Sequence, residues 1–534
     1  MKLILLLVTI HTTLWCGVYG GADTAENDGD FSLASYYNDH MVLQRAPMKA
    51  TLWGYLRNNA VNNLVTVNFN NKKYDAVYIK DSPTTYRWKV TMDPTQEGGP
   101  HVITATAGDL TLTLNDVLFG DVWICSGQSN MQFTVSSVFN ATEEIAASAN
   151  YPEIRVFTAS MKESTKPEID LLGINQMWSV AGPSTIGHDH WTYFSATCWF
   201  FGRNLYDSLK YPIGLVATSW EGTAIEVWSS PDALEKCEND EPLPPQSDIP
   251  TTPSVLWNSM IHPFLNMTIY GAIWYQGETN TLNPDTYSCT FPAMIDDWRA
   301  KWYEGSHKST NKMFPFGFVQ LSTVGDSNDT MNGFADIRWH QTADYGYVPN
   351  ARMEEVFMAA AMDLGDPTSP FHSVHPRSKQ DVGYRLALAG RAVAYKEKSL
   401  YYTGPTANVA YYSPQFIAVH YTDVMDNILE IRSQSGFEVY CIKDGQPTWV
   451  ESFVLKTVRN FVIIDNSCGA DNPPSHVRYS WRDYPCDFKK CAVYSGDLPS
   501  PPFILPVRRA SILKWLKHID LHSNSSLTLH TYTS

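Results

Sequence analysis

Between Gly120 and Gly365 the chain alternates short apolar runs with longer amphipathic stretches, and this rhythm limits the fold more than any other feature. Five runs read as buried strands: Val122 to Cys125, Ile213 to Thr218, Tyr270 to Tyr275, Phe316 to Leu321 and Val356 to Met362. Between or after them lie helical patterns at His190 to Leu209, Pro253 to Leu265, Pro292 to Tyr303, Ala335 to Tyr345 and Lys379 to Tyr395. Such alternation predicts an α/β fold whose parallel sheet is covered on both faces. On either side the period changes to the two-residue repeat of half-buried strands, as in Tyr86 to Met92 and Phe437 to Ile442. With 534 residues, one core cannot contain the whole chain. The division expected is a leader over 1–20, a β domain over 21–115, an α/β domain over 116–403 and a β-rich region over 404–534.

The leader reading rests on Lys2, the apolar run Leu3 to Ile10 and the small-residue site at Val18-Tyr19-Gly20, the pattern of a secretory signal peptide. No later stretch approaches the ~18 apolar residues that a membrane-spanning helix needs, so no membrane span is expected. Of nine cysteines, Cys16 falls in the leader, and the even remainder fits disulfides in an oxidising compartment. Cys486 and Cys491 suggest a local clip, whereas Cys125, inside an apolar strand, reads equally as a buried free thiol. The sequons at Asn140, Asn266, Asn328 and Asn524 agree with secretion and mark candidate glycosylation sites. A net charge of -16 argues against a nucleic-acid partner. The 13% of aromatic residues suits sugar rings as well as it suits packed cores.

Reactive groups in a parallel sheet gather beyond the carboxyl ends of its strands. The first strand runs into Cys125-Ser126-Gly127-Gln128-Ser129, placing Ser129 at a glycine-assisted turn where a nucleophile and backbone donors can face a substrate. Gly222, after the second strand, can present a further N–H, and Gln276, after the third, a side-chain amide. Each also has an ordinary role, as a turn glycine and as a buried amide satisfying loop backbone. The last strand leads to His375, whose loop can lie beside Ser129 as a general base requires.

These stretches carry a resemblance. Gly120 to Met131, the Trp-Tyr-Gln-Gly-Glu run at 274–278 and His375-Pro376-Arg377-Ser378-Lys379-Gln380 are similar to the sialate O-acetylesterase branch of the SGNH hydrolases. So are Met41 to Arg45, Arg338 to Gln341 and Pro501 to Ile504, so the resemblance spans most of the chain. It implies an SGNH-type, flavodoxin-like, five-stranded hydrolase core and removal of acetyl groups from O-acetylated sialic acids or sialoglycoconjugates. It further implies a lysosomal or secreted setting and neither metal nor organic cofactor. Ser129 then matches the nucleophile and His375 the base, while Gly222 and Gln276 fall in the oxyanion blocks.

The wider pattern has an aspartate three residues before the histidine, where this chain has His372. The partner of His375 therefore stays open among Asp363, Asp366, a backbone carbonyl and no partner at all, with Asp366 favoured. For an anionic sugar, Arg377 and Arg338 are candidate carboxylate contacts, and Trp220 is a candidate stacking platform. His188 with His190, and His372 with His375, have metal-like spacing but bring no third ligand, so a metal site is not expected. Two other functions compete with the sialate reading: an esterase for another acetylated polysaccharide such as xylan, and an inactive carbohydrate-binding protein.

Overall fold

The computed structural model describes residues 29–237, 248–325, 333–443 and 445–509. The leader, Asn328 and Asn524 lie outside the described residues. All five expected strands share one sheet, as Leu110–Gly127, Ile213–Ser219, Gly271–Tyr275, Phe316–Gln320 and Val356–Ala360. They are mutually parallel and stand in the order second, first, third, fourth, fifth.

The sheet is wider than the five strands expected. Ile154–Ala159 pairs in parallel beyond Ile213–Ser219, and Ile174–Val180 closes that edge antiparallel. The extra parallel strand escapes the apolar-run criterion because Arg155 interrupts it. That residue is nevertheless buried, its guanidinium donating to the Asp116 carboxylate and to the carbonyls of Pro152 and His40.

Side chains alternate across the sheet, so its two faces acquire different cores. Trp123 packs edge-on against Phe201 of the helix Ala196–Leu209 and against Phe357. Trp274, which pairs with Ser126 and so faces the opposite side, packs against Trp228 and against Trp298 of the helix Tyr287–Gly305. Among the described residues, ten tryptophans are fully buried. Most of the aromatic excess is therefore core.

Leu110–Gly127 is a single strand of 18 residues. Its first half pairs with Gly98–Ala107 in the N-terminal β region, and its second half is the middle of the central sheet. One continuous strand thus crosses the expected boundary after residue 115. The β-rich region from Thr406 to Arg509 forms an eight-stranded sheet and a smaller three-stranded one. It docks through Asp363, whose carboxylate accepts from buried Arg385 (2.6 and 2.9 Å) and from Tyr494 (2.8 Å).

The eight cysteines of the described residues pair completely: Cys125–Cys198, Cys237–Cys289, Cys441–Cys468 and Cys486–Cys491. The local clip is as expected. Cys125 is not a free thiol; it bonds the strand that leads to Ser129 to the helix Ala196–Leu209, with both cysteines fully buried. Four bridges fit an oxidising compartment, and among the described residues no helix is long and apolar enough to cross a membrane. Replacing Cys125 and Cys198 together by alanine is expected to destabilise the central sheet by about 2–4 kcal/mol, seen as an earlier urea transition of buried tryptophan fluorescence. An unshifted transition would show that the bridge adds nothing to the sheet.

Candidate active site

The turn that leads to Ser129 starts from a backbone that favours glycine. Gly127 has φ +142°, and a Cβ there would lie 2.1 Å from the Tyr275 carbonyl oxygen. The Gln128 N–H donates to that same carbonyl (3.0 Å), and Ser129 then opens the short helix Ser129–Gln132. The Gln128 side-chain oxygen accepts from the Gln276 amide (3.1 Å) and from the N–H groups of Gly277 and Thr279 (both 3.3 Å). The two strand-end loops are locked together in this way.

Ser129, at 5% exposure, lines a cavity of about 510 Å³ together with His375, Gly222, Ile249, Trp191 and Phe371, among others. Among the described residues, no protein acceptor is bonded to the backbone N–H of Ser129 or to that of Gly222. Both are available to a developing oxyanion. Gly222 has φ +69°, the left-handed conformation that glycine tolerates best.

Gln276, expected as an oxyanion donor, is not among the residues lining this cavity. Its side chain is fully buried; the two amide hydrogens are shared among the Asn280 and Gln128 side-chain oxygens and the Thr223 carbonyl, and the amide oxygen accepts from Tyr287 (2.9 Å). Both polar atoms of its side chain are occupied in holding the loops.

His375 does not pair with Asp366. Its Nδ1 lies 2.6 Å from the Phe371 carbonyl oxygen, which can only accept, so Nδ1 carries the proton and Nε2 keeps the lone pair a general base uses. Asp366 is instead bidentate with the Arg377 guanidinium at 2.6 and 3.1 Å. Burial pushes its carboxyl up, but Arg377 outweighs this and holds it below the usual carboxylate range. Asp363, the other carboxylate considered, is taken by Arg385 and Tyr494. The carbonyl alternative is the one the geometry realises. Burial drives the imidazole of His375 down to about 4, with the charges of Lys379 and His372 adding to the effect.

Neither expected arginine reaches the cavity. Arg338 is fully buried and donates to the carbonyls of Leu321, Ser322, Arg482 and Asp483. Arg377 is engaged with Asp366 and lies over the Phe139 ring, 4.4 Å from its centroid. Trp220 is half-buried, and its backbone N–H is bonded to the Gly127 carbonyl. The cavity's indole is Trp191, set edge-on to His375 at 5.1 Å between ring centroids. The sequence pattern hides it, because residues from His190 onward read as helix whereas the helix begins at Ala196 under a Ser195 cap.

Two acids also line the cavity, Glu221 and Glu278, and burial raises both carboxyls. One Glu278 oxygen accepts from the Asn130 amide (2.6 Å), while the other is buried without a partner among the described residues. No described lysine or arginine joins them in the lining. Among the described residues, no group of three His, Cys, Asp or Glu side chains could hold a metal ion.

Residues 119–391 match the family described as carbohydrate esterase, sialic acid-specific acetylesterase, and residues 408–507 match the sialate O-acetylesterase C-terminal domain. The chain is 43% identical to the sialate O-acetylesterase of Homo sapiens over 491 residues, covering 89% of this chain and 92% of that protein. It is 42% identical to that of Mus musculus over 525 residues, covering 90% and 95%. A crystal structure of a carbohydrate acetylesterase from Xanthomonas citri superposes with a TM-score of 0.73 at 29% identity, covering 89% of this chain and 99% of the other.

With His375 depressed to about 4 from the ordinary 6.5, its imidazole stays neutral well into the acid range, as a general base requires. The acid limb of kcat/KM for an acetate ester should therefore fall near pH 4; a limb near pH 6.5 would contradict this environment. The same depression makes the folded state bind fewer protons than the unfolded one, so this group's contribution to stability declines as pH falls from 6.5 to about 4.

Proposed function

The chain belongs to the sialate O-acetylesterases, and from that premise we propose that it removes O-acetyl groups from sialic acids through a serine acyl-enzyme. The observation that supports this reading best is the convergence on one cavity of Ser129, His375 and two backbone N–H groups without a partner among the described residues. His375 Nε2 takes the Ser129 hydroxyl proton as the oxygen attacks the acetyl carbonyl. The N–H groups of Ser129 and Gly222 stabilise the tetrahedral oxyanion. The imidazolium then returns the proton to the departing sugar alcohol, and water repeats the sequence on the acetyl-enzyme. The strand order of the core is compatible with the SGNH type.

The acidic lining bears on how the substrate enters. In a 9-O-acetylated sialic acid the ester ends a three-carbon tail, remote from the sugar carboxylate. We assign the tail to the cavity and leave the carboxylate outside, away from Glu221 and Glu278. Sialoglycans are the natural substrates on this reading, in lysosomes or outside the cell. Asn140, exposed beside a short helix, is the most accessible described glycosylation candidate; the Asn266 side chain is held by Lys89 (3.0 Å) and the Thr268 of its sequon is buried.

We assign the wall of the acyl pocket to Ile249, which lines the cavity beside Gly222. Its Cδ1 lies 2.5 Å from where a Cβ on Gly222 would sit, so the side chain closes the cavity at the oxyanion donor, where the acyl group must lie.

Ser129→Ala is expected to lower turnover of a chromogenic acetate about a thousandfold or more; near-parental turnover would refute the acyl-enzyme. Release of acetate from 9-O-acetylated sialic acid should exceed release from acetylated xylan, and the opposite ranking would assign the chain to the polysaccharide esters. Ile249→Ala should raise the butyrate-to-acetate ratio of kcat/KM by about tenfold, the scale of one or two methylenes in an apolar pocket. An unchanged ratio would remove Ile249 from the acyl wall.

A further inference from the structure

Lys379 is fully buried at the start of the helix Lys379–Val393, yet among the described residues it forms no salt bridge. Its ammonium donates to the Asn130 side-chain oxygen and to the Pro376 carbonyl, both at 2.7 Å, and lies 4.6 Å from the Phe133 ring centroid. Asn130 follows Ser129 directly, and its amide nitrogen donates to the Val374 carbonyl at 2.8 Å as well as to Glu278. The two carbonyls held by this pair, those of Val374 and Pro376, flank His375 on either side.

We propose that Lys379, acting through Asn130, is a positioning residue that clamps the loop of the base against the turn of the nucleophile. This rests on the serine-esterase reading of Ser129 and His375. Nothing else among the described contacts joins the residue next to Ser129 to both neighbours of His375. Lys379 has a further effect through its charge. His375 is faced by Lys379 and His372, by the rings of Phe133, Trp191 and Phe371, and by the Phe371 carbonyl, with Glu221 and Glu278 across the cavity. Burial brings Lys379 down to about 7, opposed by Glu278 and Asp366, so in an acidic medium it is a cation that helps to keep the imidazole neutral. Holding such a charge in the interior costs stability, and the cost grows as pH falls from 10.5 to about 7 and is complete below that.

Function and folding therefore make opposite demands on this residue, and that opposition gives the test. In the full chain, Lys379→Met keeps the volume and removes the buried charge. Hydrolysis of a chromogenic acetate should show kcat lowered about tenfold to a hundredfold with KM within about twofold, and an acid limb displaced upward. At about pH 5 the thermal midpoint should be unchanged or higher. Unaltered kcat and acid limb would overturn the proposal. So would a loss of activity accompanied by a lower midpoint, which is what a merely structural lysine would give. Asn130→Leu, which breaks the other half of the clamp, should lower kcat without displacing the acid limb upward; full activity in that variant would also overturn it. Because the readout is a simple acetate ester, these outcomes are independent of the natural substrate. Ser129→Ala as active as the parent would instead remove the esterase reading itself.

Discussion

The site depends on one close approach, that of Gly127 to the carbonyl of Tyr275. A side chain at residue 127 would collide with that oxygen, and without the approach the Gln128 N–H could not reach it. From this contact the rest follows by hydrogen bonding. Gln128 gathers N–H groups from the adjacent loop, Gln276 braces Gln128, and Ser129 is presented at the cavity with its backbone N–H left over. Underneath, the Cys125–Cys198 bridge fastens the same strand to a core helix. The serine thus owes its place to backbone geometry that is complete before any substrate arrives, as electrostatic preorganisation requires.

Much of this is legible in the sequence because it follows from periodicity and chain order. The five apolar strands announce the parallel sheet, and strand ends then single out Ser129, Gly222 and the loop of His375. What stays hidden has a common physical cause. Arg155 and Arg338 have the composition of surface charges, but the donors of each guanidinium are met by carbonyls and, for Arg155, by one carboxylate, so both are tolerated in the interior. A strand containing Arg155 does not read as apolar, and Arg338, seen only as a cation, reads as a substrate contact. Gln276 reads as an unspent donor, although its donors are satisfied by groups that only the fold brings near. Trp191 is hidden by a helix boundary that depends on the Ser195 cap.

The same distinction between charge present and charge available governs the cavity. An anionic sugar meets a protein of net charge -16, and the two arginines expected to receive it are already committed to Asp366 and to carbonyls. Burial raises the carboxyls of both lining acids.

The partner of His375 belongs to the main chain. A carboxylate in that role would be a side chain whose replacement is a single codon change; the Phe371 carbonyl survives every substitution at its own position. The atom that orients the ring is therefore invisible to comparison by residue type, and tolerance at residue 371 would report on how its ring lines the cavity and packs against Phe133, Trp191 and His190. What can be lost is the path of the loop, so harmful changes should concentrate at positions that shape its backbone, such as Ser369, whose hydroxyl holds the His375 carbonyl at 2.7 Å.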